Sequence, residues 1–129
     1  MSTPAESQVR LAAAELVAAF GAHDTERYFA AFAVDATFLF HTAAAPLRSR
    51  AEYEAVWKSW EADGFHVLGC VTTDTQVQVL GTDAAVLTHH VRTRLTGEET
   101  EQRERETIVF RREPDGRWLG VHEHLSPEP

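Results

Sequence analysis

Cysteine is nearly missing from this chain of 129 residues: Cys70 stands alone. No disulfide framework can form, so a reducing cytoplasm is the expected setting. A lone cysteine in a strand reads first as a small buried hydrophobe and only second as a nucleophile. Positive charge is also scarce, with 12 basic against 20 acidic side chains and a net charge of −8. That balance argues against nucleic acid or an anionic membrane as a partner. No apolar run approaches the length of a membrane span. The opening Met1-Ser2-Thr3-Pro4 lacks the basic and apolar regions of a secretory signal. Phosphate-binding glycine loops, Gly-x-Ser-x-Gly elbows and Cys-x-x-Cys pairs are all missing. A redox enzyme built on this sequence would therefore need a bound metal.

What remains is ordinary globular material, 43% apolar and 25% charged. It is enough for one core and one domain spanning residues 1–129. Thr3-Pro4-Ala5-Glu6 is a capping box with proline at the first helical position. Val9, Ala12, Ala13, Leu16 and Phe20 follow at helical spacing, and Gly21 is the expected stop. Asp24 can cap a second, shorter helix that carries Tyr28, Phe29 and Phe32 inward. Thr37 to His41 reads as a short strand. Asp35, just before it, is a turn or capping aspartate in preference to a general base. Ser49-Arg50-Ala51-Glu52 is a second capping box, after which Tyr53, Val56, Trp57 and Trp60 form one helical stripe. Those tryptophans read equally as core and as the wall of a ligand cavity.

From Phe65 the period changes to strict alternation. Turn signals at Gly81-Thr82-Asp83, Gly97-Glu98-Glu99 and Pro114-Asp115-Gly116 divide the remainder into four strands of an antiparallel meander. Helices followed by a curved sheet is an α+β layout. Around His89 the row Ala85, Leu87, His89, Val91 is apolar, so His89 is expected inside and His90 outside. The late arginines, Arg105 among them, interleave with glutamates as a solvated, cross-strand paired face would.

The last strand holds Trp118, Gly120, His122 and His124 on one face against Leu119, Val121 and Leu125 on the other. Asp115-Gly116-Arg117-Trp118-Leu119-Gly120-Val121-His122-Glu123-His124-Leu125-Ser126, with Glu106-Thr107 before it, resembles the last strands of SnoaL-like proteins in the nuclear-transport-factor-2-like superfamily. The likeness is strongest to the branch with the association domain of calcium/calmodulin-dependent protein kinase II. It implies a cone-shaped α+β fold with one pocket, N-terminal helices on a curved antiparallel sheet, and a homodimer formed through the outer sheet faces. It also implies that the tryptophan-and-histidine row faces the pocket, with Gly120 leaving room at its floor. Alternation alone would bury the Leu/Val row instead.

On that reading His122 and His124 could meet His89 and His41 at the cavity. Three uses follow. Histidines could move protons in an isomerase, cyclase or dehydratase, with His122, His124 and His89 as the catalytic set and no cofactor required. Tyr28, Phe32, Trp57, Trp60, Arg105 and Thr107 would then contact the small-molecule substrate. Alternatively His41, His89, His122 and His124 could hold Zn, Cu, Ni or Fe. Thirdly, the imidazoles could be satisfied polar residues in a non-catalytic assembly or ligand-sensing domain.

Overall fold

The computed structural model describes residues 3–129. Helix α1 spans Pro4–Gly21, α2 Thr25–Ala30 and α3 Arg50–Ala62. The strands are β1 Phe32–Phe40, β2 Val67–Leu80, β3 Ala84–Leu95, β4 Gln102–Arg112 and β5 Trp118–Pro127. Each helix starts where its cap allows. The side chains of Thr3, Asp24 and Ser49 accept hydrogen bonds from the backbone N–H of Glu6, Arg27 and Glu52 respectively.

The end of α1 differs from expectation. Gly21 remains helical, and the left-handed residue is His23 at φ 51°. Gly21 instead lets α1 approach β2, since a Cβ there would lie 3.2 Å from the Cys70 backbone nitrogen. His23 tolerates its conformation because its ring is fixed. Nδ1 accepts from Val67 N–H at 3.0 Å, Nε2 lies 2.8 Å from Glu61, and the imidazole stacks on His66 and Trp57.

The sheet runs in the order β1-β5-β4-β3-β2. Strands β2 to β5 form the expected antiparallel meander, whereas β1 joins the edge of β5 in parallel and makes the sheet mixed. Phe32 begins β1 rather than ending α2, and its ring is fully buried against Gly120. The helices cover the concave face, where Tyr28, Phe29, Phe38, Tyr53 and Trp57 pack edge-on or tilted around one another. Among the described residues no helix is long and apolar enough to cross a membrane.

A register shift in β5 decides what the concave face offers. Val109 pairs with His122 but Phe110 pairs with Gly120, so Val121 is an extra residue. Such a bulge reverses the side-chain alternation beyond it. Trp118 and Gly120 face inward as expected, and then Glu123 takes the inward place that His122 and His124 would have had.

Candidate active site

Between the helices and the concave sheet lies a cavity of about 390 Å³, within the range of small-molecule sites. Its apolar wall includes Phe20, Tyr28, Phe40, Tyr53, Trp60 and Phe65. Its polar wall is largely carboxylic. Glu104 and Glu106 come from β4 and Glu123 from β5, all buried, and the exposed Asp63 and Glu98 also line it, together with the uncharged Thr42, Thr93, Thr96 and Gln102. Among the described residues no lysine or arginine lines it.

The three buried glutamates have distinct surroundings. Glu106 sits opposite His89 on the neighbouring strand, with His89 Nε2 donating to its Oε1 at 2.5 Å. Burial alone would raise the Glu106 pKa, yet hydrogen bonds from Glu123 and His89 hold it below the usual carboxylate range. Burial pushes Glu123 well above that range, and the neighbouring charges of Glu106 and Glu104 add to the rise. The pair therefore keeps one proton, carried by Glu123 and shared with Glu106. No N–H or hydroxyl among the described residues donates to Glu123 Oε1. Glu104 is raised by burial, with partial relief from His41, whose Nε2 lies 2.5 Å from its Oε2.

The two buried phenols and the thiol are neutral. Tyr28 and Tyr53 share a hydrogen bond of 2.8 Å between their hydroxyls, and burial holds both phenols well above their ordinary pKa. Cys70 accepts from the Thr93 hydroxyl, and burial pushes its thiol up to about 11. It is no thiolate nucleophile at neutral pH.

The residues expected at the site divide in two. Tyr28 and Trp60 line the cavity, and His89 is buried behind Glu106 as a partner of its carboxylate. His122 and His124 do not line it: the Val121 bulge turns them to the outer face, where His122 Nδ1 meets the Thr37 hydroxyl at 2.8 Å. Arg105 and Thr107, whose parity opposes Glu104 and Glu106, share that face with His124 around an open depression. Phe32 and Trp57 are core, and the Trp57 indole N–H is already used by Thr25 Oγ1 at 3.1 Å. His41, His89, His122 and His124 are thus split between two faces. Among the described residues no three His, Cys, Asp or Glu side chains are grouped to hold a metal ion. Asp35 is exposed and held below the usual carboxylate range by a bidentate ion pair with Arg111. The room expected beneath Gly120 is filled by the Phe32 ring, 2.9 Å from where a Cβ would stand.

The acidic wall is the part the sequence reading missed. Its signal was present in β4, where Glu104 and Glu106 alternate in phase with Ile108 and Phe110, an apolar row that marks the inward face. Glu123 gave no such signal, because only the bulge brings it inside.

Comparison with known proteins agrees with this architecture. A protein from Pseudomonas putida KT2440, described as NTF2-like and of unknown function, is 26% identical over 98% of this chain and 88% of its own, with a TM-score of 0.82. A ketosteroid isomerase-like protein from Erwinia carotovora atroseptica SCRI1043 superposes with a TM-score of 0.85 at 18% identity, covering 99% of this chain and all of its own. ActVI-ORFA from Streptomyces coelicolor gives 0.77 at 17% identity, with 98% of each chain covered. Comparison with curated proteins found no match. The SnoaL-like domain model matches residues 9–128, nearly the whole sequence, and the chain belongs to that family.

Proposed function

We propose that this protein binds a small organic molecule in the concave cavity and moves a proton on it, as an isomerase or a related acid–base enzyme would. The observation that carries the reading is the pair of buried carboxyl groups, Glu106 and Glu123, at the cavity wall, in surroundings that lower the pKa of the first and raise that of the second. Two carboxyl groups whose environments push their pKa values apart supply a base and an acid at one pH. Glu106 is the base, Glu123 the proton donor, and His89 a positioning residue that fixes the Glu106 carboxylate. Tyr28 and Trp60 pack on the ligand from the helical side. The names of the ketosteroid isomerase-like relatives point the same way.

The test is solvent deuterium exchange into a panel of small carbonyl compounds and amines, followed by NMR. A bound compound should exchange, and Glu106→Gln should slow exchange by roughly a hundredfold, the usual scale of a lost general base. His122→Ala with His124→Ala should change little. A compound that binds in the cavity yet shows equal exchange with wild type and Glu106→Gln would overturn the catalytic reading. The cavity would then belong to a ligand sensor or assembly module, the class suggested by the kinase association-domain resemblance.

A further inference from the structure

We infer that the ligand of this cavity is a small organic cation, an ammonium compound carrying an aromatic or similarly apolar body. The inference rests on the cavity being the ligand site and adds the ligand's charge class.

Charge comes first. Five carboxyl groups line the space, from Asp63, Glu98, Glu104, Glu106 and Glu123, with no lysine or arginine among the lining residues. The positive charge that could face them comes from His41, paired with Glu104, and His89, paired with Glu106. With both imidazoles charged and one proton shared by Glu106 and Glu123, the buried groups balance, and the excess negative charge comes from Asp63 and Glu98, which are exposed. A carboxylate or phosphate ligand would enter against that field with no cation to receive it.

Hydrogen-bond capacity comes second. Glu123 is 97% buried by its 3% exposure, lines the cavity, and has no donor to Oε1 among the described residues. An ammonium N–H placed there would donate to Oε1 as a charge-assisted bond while Glu123 keeps the proton it shares with Glu106.

Shape comes third. Phe20, Tyr28, Tyr53, Trp60 and Phe65 stand opposite the acids. Aromatic faces across from buried carboxylates suit a cation with an apolar body, through cation–π attraction and apolar burial together.

The experiment uses three probes of one shape: 2-naphthylmethylamine, 2-naphthalenemethanol and 2-naphthoate, each titrated into the full chain by calorimetry. The amine should bind about tenfold or more tighter than the alcohol, and the carboxylate weakest, as a desolvated ion pair predicts. Glu106→Gln and Glu123→Gln should each remove most of the amine's advantage, leaving the alcohol within about threefold of its wild-type affinity. Circular dichroism establishes that both variants fold. If Glu106→Gln does not fold, Glu123→Gln and Glu104→Gln carry the test. Equal binding of amine and alcohol, or a preference for the carboxylate, overturns the charge class while the cavity remains a ligand site. Failure of all three probes to bind overturns the cavity reading and this inference together.

Discussion

At the residue scale the decisive group is Glu123, a carboxyl that the fold keeps protonated beside an ionised neighbour. Its pKa is raised on folding, so the native state binds a proton that the unfolded chain releases at the ordinary carboxyl value of about 4.3. The stabilisation this gives is complete below that value and is lost as pH rises through the folded pKa. Glu106, held low, has the opposite sign and supports the fold above its unfolded pKa, with loss on acidification. Glu123→Gln mimics the protonated carboxyl and cannot ionise. The melting temperature of the variant minus that of wild type should therefore grow more positive as pH rises above the ordinary carboxyl value and level off above the folded Glu123 pKa, about 4 °C for each kcal/mol gained. Glu104, also raised by burial, is present in both proteins and cancels in the difference. A difference that stays flat or falls with pH would show that Glu123 is ionised in the native state.

At the element scale the site depends on how β5 meets β1. Gly120 leaves the space that the Phe32 ring occupies, and an added Cβ would stand 2.9 Å from a ring that is fully buried and has nowhere to go. Gly120→Ala should cost about 1–3 kcal/mol, the usual range for overpacking a core. A lower urea midpoint at an unchanged slope would confirm it, and an unchanged midpoint would mean that Phe32 can move. The same junction explains what the sequence could reveal. Caps at Thr3, Asp24 and Ser49, the helical stripe of Tyr53 and Trp57, and the alternation that put His89 inside were all local patterns, and local hydrogen bonding or burial enforces them. The β5 parity was not local. One extra residue at Val121, fixed by pairing with β4 on one side and β1 on the other, exchanges the His122–His124 row for Glu123. The parallel pairing of β1 with β5 likewise follows from where α3 carries the chain, beyond any pattern within β1. Period-two reasoning cannot see an inserted residue without its partner strand.

At the scale of the whole molecule, the helices protect one face of the sheet and leave the other open. On that outer face Val86 and Val109 are paired and only half-buried, next to His122 and with Leu39 exposed nearby. Around them Thr88, His90, Arg105, Thr107 and His124 border a broad polar depression. A half-apolar centre with a polar rim has the composition of a protein–protein interface, and a twofold pairing of this face with itself is the economical way to cover it. The expected state is a homodimer, to be read as twice the chain mass by sedimentation equilibrium at micromolar concentration. A charge at the centre should break it, because Val109→Arg would bury a guanidinium from each copy in the half-apolar middle of the interface. That variant should sediment as a monomer with its helical circular dichroism intact. Amine binding should survive in it, since the cavity opens on the opposite side of the sheet and Val109 takes no part in its lining. A monomeric wild type would overturn the dimer and leave the cavity reading standing. Loss of amine binding in a folded, monomeric Val109→Arg would instead show that the two faces are coupled through the strands that carry Glu106 and Glu123.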